Sequence, residues 1–317
     1  MTVTFRVATP DDAAAVLAVT RAAFGTGPPL EPPSGAASEA LDQVTADLMD
    51  EGGVVGEHDG MVVATLRLRR RDRAFWLRRV AVAPAMSRRA VGSRLVAWTH
   101  AHLAQHSDLE ELRVGVRTSR PGARRFWEEL GYTPSTHHDY WQELRRDPPY
   151  SDVVATAAAM RAVGTRLAAV LQPGDLIVCT GGLGAGKTTL AQGVGAGLGV
   201  AGPITSPTFV LARRHRPLAA GRRGVPFVHA DTYRLGAVAD PLGELDGLDL
   251  DSGLDDAVTF VEWGEGLVEQ LATNRVEVRL CADPVSEDRT IVVDALGRRW
   301  AGVDLRAALA GGVTSVT

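Results

Sequence analysis

The sequence predicts an α/β protein in two domains, and three observations carry that expectation. Its 317 residues exceed what a single core usually organises and suit two domains of about 150 residues each. Arg145 to Ser151, RRDPPYS, is charged and doubly interrupted by proline, so no helix runs through it. It is the expected boundary between domains at residues 1–146 and 147–317. The third observation is Gly181 to Thr189, GGLGAGKTT, which follows the apolar run Leu176 to Cys179 and precedes an Ala/Leu-rich helix. That strand, loop and helix are the context the phosphate-cradling pattern G-x-x-x-x-G-K-[ST] requires.

Composition narrows the class. At 45% hydrophobic and 23% charged, the chain has the make-up of an ordinary soluble globular protein, and no apolar run nears the roughly 18 residues of a membrane-spanning helix. The opening MTVTFRVATPDDAAAV lacks the charged-then-apolar order of a secretory signal, so a cytoplasmic protein with no membrane partner is expected. Cys179 and Cys281 fall in predicted strands, far from any zinc-type Cys/His spacing, and are expected to be buried thiols. Residues 1–147 carry 19 Arg against 19 Asp plus Glu, and the remainder 15 basic against 19 acidic residues. The net charge of −4 therefore belongs to the second half, and neither half has the basic excess of a nucleic-acid binder.

In the first half, Phe5 to Ala8 reads as a strand, and Asp11 and Asp12 cap a helix carrying Ala13, Val16, Leu17 and Thr20. A Pro/Gly loop covers Thr26 to Gly35, and a second helix is expected from about Ala37 to Met49. Val54 to Glu57, the turn His58-Asp59-Gly60 and Met61 to Arg69 form an expected hairpin, followed by a strand from Trp76 to Val82. The run Arg67, Arg69, Arg70, Arg71 and Arg73 reads as a solvated hairpin tip, and His137-His138-Asp139 as a surface turn. After Pro84, a loop of Arg and small residues leads into a helix near Val91, with Val91, Leu95, Trp98 and His102 on one face. Backbone N–H groups at such a helix start suit a pyrophosphate. A strand from Glu111 to Val116 and a helix from Ala123 to Leu130 follow, stopped at Gly131-Tyr132.

This order resembles a GNAT acyltransferase over nearly all of residues 1–145, which implies an α+β domain with a mixed central sheet. Ser87 to Gly92 stands where that family has [QR]-x-x-G-x-[GA], and FWEELGY at Phe126 to Tyr132 is similar to its FYxxxGF helix. The resemblance implies acetyl-CoA binding by Val82, Ser87, Arg88, Arg89, Ala90, Val91, Gly92 and Ser93. Three positions depart from the family: Ser87 replaces Arg or Gln, Ala90 replaces Gly, and Trp127 replaces the Tyr that often serves as general acid. An indole N–H has no accessible proton-transfer pKa. The strand Trp76 to Val82 carries no Glu or Asp to act as a base, which leaves Tyr132 and Tyr140 as candidates for proton transfer.

In the second half, a helix is expected from about Asp152 to Leu171, capped by Ser151 and turned by Pro173-Gly174 into the strand before the phosphate loop. Gly181, Gly182, Leu183, Gly184, Ala185, Gly186, Lys187, Thr188 and Thr189 form the expected ATP-binding loop. Glycines let successive N–H groups approach a phosphate, Lys187 reaches the β- and γ-phosphates, and Thr188 offers its hydroxyl to Mg²⁺. Of 34 Lys plus Arg, Lys187 is the only lysine, retained where a compact ammonium fits and a planar guanidinium would not. Gly193, Gly195, Gly197 and Gly199 imply close packing or early termination of the next helix.

Three groups follow: Ser206-Pro207-Thr208-Phe209, the segment His229 to Arg234 at the end of a strand, and Glu262-Trp263-Gly264 after the apolar strand Val258 to Val261. A carboxylate ending a strand beside the loop strand is where a parallel sheet places a metal-binding group. With GxxLGAGKTT, these groups resemble the bacterial TsaE family over residues 152 to about 282. The implied fold is a P-loop NTPase α/β domain with a parallel central sheet. The implied activity is that of the ATPase serving N6-threonylcarbamoyladenosine formation at tRNA adenosine 37, on a TsaB/TsaD-type complex and so on tRNA only indirectly. By that resemblance Thr188 and Glu262 would bind Mg²⁺, Asp231 would be required for hydrolysis with Lys187, and Ser206 to Phe209 would switch with nucleotide. Tyr233 and Trp263 would shape the site or a partner face. Gly182 replaces a usual Asp, and Met160 a common Thr.

The Arg213, Arg214, Arg216, Arg222 and Arg223 cluster reads as a solvated hairpin or an approach to tRNA or an acidic partner, and the tail after Val276 as an edge hairpin with a helical cap. Two other functions fit parts of the chain: an acetyl-CoA-dependent N-acetyltransferase docked or regulated by the P-loop domain, and a small-molecule kinase.

Overall fold

The computed structural model describes the whole chain except residues 1–2, 26–29, 37, 88–89, 107, 208–211, 219–223, 234–255, 264–271, 273, 284 and 311–317. It divides into two compact units, Met1–Pro148 and Pro149–Thr317, each with its own seven-stranded sheet.

In the first unit the strands are β1 (Thr4–Val7), β2 (Gly53–His58), β3 (Met61–Arg71), β4 (Ala74–Val82), β5 (Glu111–Arg117), β6 (Thr133–His137) and β7 (Trp141–Arg146), in the order β1-β2-β3-β4-β5-β7-β6. The sheet is mixed: β4 and β5 run parallel and every other neighbour antiparallel. The parallel pair holds together only where Ala74–Trp76 meets Glu111–Arg113. Beyond it the two strands no longer pair, and a bulge in the β3–β4 register coincides with Arg79 at φ +52°. The helices are α1 (Ala13–Phe24), α2 (Leu41–Asp50), α3 (Val91–Leu103) and α4 (Pro121–Glu129).

Two expectations for this unit are corrected. The second helix starts at Leu41, not near Ala37, which lies outside the described residues; Ala40 is extended. The preceding turn delivers Glu39 to the sheet, where its carboxylate bonds Arg67 Nη2 at 2.5 Å and Arg79 Nε at 2.7 Å. Burial alone would raise the Glu39 pKa, but these two hydrogen bonds outweigh it and hold the carboxylate below its usual range. The arginine run is therefore no solvated tip throughout. Arg67 is 1% exposed and also bonds Asp47 at 2.7 Å, and Arg69 bonds Glu51 at 3.0 Å. Strand alternation puts residues 67 and 69 on one face, beneath α2.

The second unit contains β8 (Tyr150–Val154), α5 (Ala157–Ala168), β9 (Leu176–Gly181), α6 (Lys187–Leu198), β10 (Ala212–His215), β11 (Phe227–Asp231), β12 (Val258–Glu262), β13 (Arg275–Ala282), β14 (Arg289–Leu296) and a last helix α7 (Leu305–Ala310). Their order is β10-β11-β12-β9-β13-β14-β8. The four central strands, β11, β12, β9 and β13, are parallel, and the margins are antiparallel. Burial follows from composition. Strands β9, β11 and β12 are near-continuous apolar runs, as strands covered on both faces must be.

Here too the structure corrects the sequence reading. Residues 150–154 form an edge strand on β14, and the helix starts later, with Thr156 Oγ1 accepting from Ala159 N at 3.1 Å as its cap. The tail hairpin is not at the edge, because β13 lies directly beside the loop strand β9. Cys179 is buried, but Cys281 is exposed, one residue past the end of the β9 pairing. The glycines do both things expected of them: α5 and α6 cross closely, and Gly199 ends α6 in the left-handed region at φ +72°. A Cβ on Gly164 would stand 2.5 Å from Leu190 O, and one on Gly193 2.8 Å from Arg161 Cα.

Candidate nucleotide site

The site is assembled at the C-terminal ends of β9, β11 and β12. Leaving β9, the chain turns through Gly181, Gly184 and Gly186 at φ +152°, +74° and +104°, values a side chain resists. Gly181 is doubly required, since a Cβ there would lie 2.6 Å from Leu280 O. Ala185 is buried under the loop, Leu183 stands 98% exposed at its tip, and Met160 of α5 packs beneath Gly186. Gly182 has open space around it, so the residue type there is not dictated by packing.

Lys187, the first residue of α6, is 5% exposed. Its Nζ donates to Gly181 O at 2.8 Å and Gly182 O at 2.9 Å, and sits 3.8 Å from the centroid of the Trp263 ring. Burial pushes its pKa down, against the opposing pull of Glu262, Cys179 and Asp231. Burial likewise pushes the neighbouring Cys179 thiol well up.

Glu262 and Asp231 end adjacent parallel strands as direct register partners, and both are buried. Glu262 Oε1 accepts from Thr188 Oγ1 at 2.8 Å and from His229 Nε2 at 2.9 Å. Accepting from Nε2 means that this nitrogen carries the proton; Nδ1 is buried with no partner among the described residues. Asp231 Oδ2 accepts from Ser206 Oγ at 3.0 Å, and Oδ1 from Tyr233 N at 3.0 Å. Thr232 clamps the end of β12, donating from both N and Oγ1 to Glu262 O at 3.0 Å. Trp263 is held at φ +62° by its N–H on Cys179 O, and its ring lies 5.1 Å from that of the exposed Tyr233.

Thus Lys187, Thr188, Asp231 and Glu262 come together around one loop, with Ser206 as a further member. Thr189 lies one residue further along α6 and is half-buried. Thr208, Phe209, Arg222, Arg223, Arg234 and Gly264 lie outside the described residues. Sequence reading gave His229 no role of its own, yet a signal existed: two residues before Asp231 on one strand, it must share that face.

The donor set suits a small hard cation. Among the described residues no three His, Cys, Asp or Glu side chains cluster, so a cation between Thr188 and Glu262 would have two protein oxygens and keep several waters, as Mg²⁺ does.

The residues read as an acetyl-CoA loop lie in the first unit. Ala90 takes φ +53° as the N-cap of α3, the conformation the family's glycine would adopt freely, and Val91 is buried while Ser87 is exposed. A Cβ on Gly92 would meet Phe126 and Val82 at 3.6 Å, and Ser93 is half-buried. Arg88 and Arg89 lie outside the described residues. Where β4 and β5 part, a cleft of about 910 Å³ opens, lined in part by Val82, Trp127 and Tyr140. Tyr132 is instead buried, bonded to His100 Nε2 at 2.9 Å.

Residues 154–291 match the family described as threonylcarbamoyl adenosine biosynthesis protein TsaE, and residues 27–132 the acetyltransferase (GNAT) family. The tRNA threonylcarbamoyladenosine biosynthesis protein TsaE of Streptomyces coelicolor is 50% identical over 155 residues, covering 48% of this chain and 100% of the relative. That of Mycobacterium tuberculosis is 56% identical over 121 residues, 37% of this chain and 70% of the relative. A crystal structure of PaiA N-acetyltransferase from Thermoplasma acidophilum with coenzyme A is 12% identical with a TM-score of 0.42, covering 46% of this chain and 99% of that one. The chain belongs to the TsaE family through its second unit, a P-loop ATPase-type domain, and carries a GNAT acetyltransferase-family domain ahead of it.

Proposed function

We propose that the second domain, residues 147–317, binds and hydrolyses Mg-ATP for tRNA threonylcarbamoyladenosine biosynthesis, acting on TsaB/TsaD-type proteins and so on tRNA indirectly. The first domain, residues 1–146, is read as an acetyl-CoA-dependent acyltransferase. The compact units Met1–Pro148 and Pro149–Thr317 support a boundary in this region.

The observation that carries the reading is the position of Lys187. Its buried ammonium is held by the carbonyls of Gly181 and Gly182 at the mouth of a loop whose amides and helix start attract anions. An ammonium whose hydrogen bonds, among the described residues, go to neutral carbonyls is poised to exchange them for phosphate oxygens. Thr188 and Glu262, already in hydrogen-bond contact, are the proposed Mg²⁺ ligands. The cation supplies charge neutralisation at the phosphates. Asp231, beside them, accepts hydrogen bonds from Ser206 and Tyr233, and we assign it the orientation of the attacking water. Ser206 thereby links the segment Ser206 to Phe209 to the same carboxylate. In the first domain, the parted β4 and β5 and the left-handed Ala90 at the start of α3 support acetyl-CoA binding by Val82 and residues 87–93.

The test is titration of the full chain with Mg-ATP. Lys187→Ala is expected to weaken binding by about 100-fold, roughly 2.7 kcal/mol, and to abolish turnover. Unchanged affinity would overturn the assignment. The alternative, an acetyltransferase docked by an inert P-loop domain, predicts acetyl transfer with no nucleotide binding, and the same titration separates the two.

A further inference from the structure

The cleft between β4 and β5 is chemically one-sided. Arg69, Arg71, Arg78, Arg79, Arg117 and Arg120 line it, and among the described residues no Asp, Glu or His does. The nearby carboxylates are committed elsewhere: Glu39 holds Arg67 and Arg79, Asp47 holds Arg67, and Glu51 holds Arg69. The side chains of Arg71 and Arg78 make no hydrogen bond or ion pair among the described residues. Arg117 spends Nη2 on the neutral carbonyls of Pro32 and Pro33 and stacks its guanidinium 4.5 Å from the Tyr140 ring centroid. Its Nη1 is buried with no partner among the described residues. Burial, and then the charges of Arg69 and Arg79, push the Arg78 pKa down and outweigh the opposing pull of Asp47. Guanidinium groups left in this way are the usual fork for a carboxylate or phosphate.

These arginines are separate from the acetyl-CoA loop. Of the described residues read as binding acetyl-CoA, only Val82 reaches this cleft. Among the described residues, the hydrogen-bond partners of the Arg69, Arg79 and Arg117 side chains come from the segment between α1 and α2, or from α2 and the residue after it.

We propose that the cleft holds the acyl acceptor, a small primary amine that also bears a carboxylate or phosphate, gripped by Arg78 and Arg117 with Arg71 assisting. The proposal rests on reading this domain as an acyltransferase. In the transfer, the amine nitrogen bonds to the acyl carbon of the thioester as its C–S bond breaks, and the departing thiolate takes the proton the nitrogen sheds. The arginines also account for the missing base. A cationic surrounding disfavours an ammonium, so the amine binds as the free base, its ammonium proton left in bulk water, and no carboxylate is needed beside it. A cleft of about 910 Å³ walled by Trp76 and Trp141, 6.3 Å apart edge to face, suits a small molecule better than a duplex.

The experiment is calorimetry of the full chain with phosphoethanolamine, β-alanine and ethanolamine as probes, each with and without saturating CoA. Phosphoethanolamine or β-alanine is expected to bind alongside CoA, with ethanolamine at least about tenfold weaker; which of the two binds better separates phosphate from carboxylate. Arg78→Gln and Arg117→Gln are each expected to weaken the anionic probe by about tenfold or more and to leave CoA affinity within about twofold, which also reports an intact fold. Arg78→Lys, keeping charge without the fork, falls between, and Arg124→Gln, on the surface of α4, changes nothing. Competition between the probes and CoA would overturn the proposal by assigning the arginines to the donor's phosphates. Displacement of the probes by tRNA, equal binding of ethanolamine, or indifference to Arg78→Gln would overturn it too. Anion binding that depends on Arg78 in a chain that binds no CoA would remove the acyltransferase reading, and with it the acceptor role, while the anion site itself stood.

Discussion

At the residue scale the second domain concentrates its chemistry on Glu262 Oε1, which takes hydrogen bonds from Thr188 and His229 at once. His229 is fully buried among Phe227 and Phe260, with ring centroids 6.0 and 5.6 Å away, so its imidazole is fixed by packing before it fixes the carboxylate. We therefore assign it a positioning role, aiming Glu262 at the cation site. His229→Phe keeps the ring volume and removes the donor. It is expected to lower stability by about 1–3 kcal/mol, from an unsatisfied buried carboxylate, and to reduce kcat for ATP by about 10–100-fold. His229→Gln, which restores an N–H, should recover part of the rate. Urea denaturation read beside steady-state kinetics checks this, since a purely structural role would lower stability and leave the kcat of the folded fraction intact. The residue pair 229 and 231 was legible from strand alternation, but the hydrogen bond to residue 262 was not, because it joins two strands 33 positions apart.

At the element scale the decisive contact is α5 on α6. The Ala-rich α5 is a good helix former, but the Gly-rich α6 looks weak by helix propensity, and tertiary contact overrides it. Alanine at Gly193 would gain about 1 kcal/mol of propensity in isolation, but its Cβ would collide with the backbone of Arg161. Gly193→Ala is expected to destabilise the second domain by about 2–3 kcal/mol, whereas Gly122→Ala, with open space on α4, should be neutral or gain a few tenths. Thermal melts of both variants check the contrast; equal melting temperatures would contradict it. The strand β8 shows the converse error. SDVVATAAAM reads as one helix, but Tyr150 to Val154 pairs with β14, a partner more than 130 residues away that no local pattern announces.

At the scale of the whole molecule, each unit has its own sheet and buried interior, so ligands can be assigned to units by what they stabilise. Mg-ATP at about 100 times its Kd is expected to add about 2.7 kcal/mol to the transition that Gly193→Ala lowers. Differential scanning calorimetry of the two chains with and without Mg-ATP checks it, and a shift confined to a transition insensitive to that variant would place nucleotide in the other unit. The linear order of residues was enough to locate the phosphate loop, the pairing of strand ends with Asp231 and Glu262, and the resemblance to two families, because glycine turns, one lysine and apolar strands are local signals. Only the tertiary structure decided that β13 sits beside β9, that Arg67 is buried on Glu39 while the Arg78 side chain has no ion pair among the described residues, and that Lys187 rests on Trp263. Those outcomes depend on which distant counter-charge or strand arrives first at a shared position, and charge compensation, unlike turn geometry, is a property of neighbours in space.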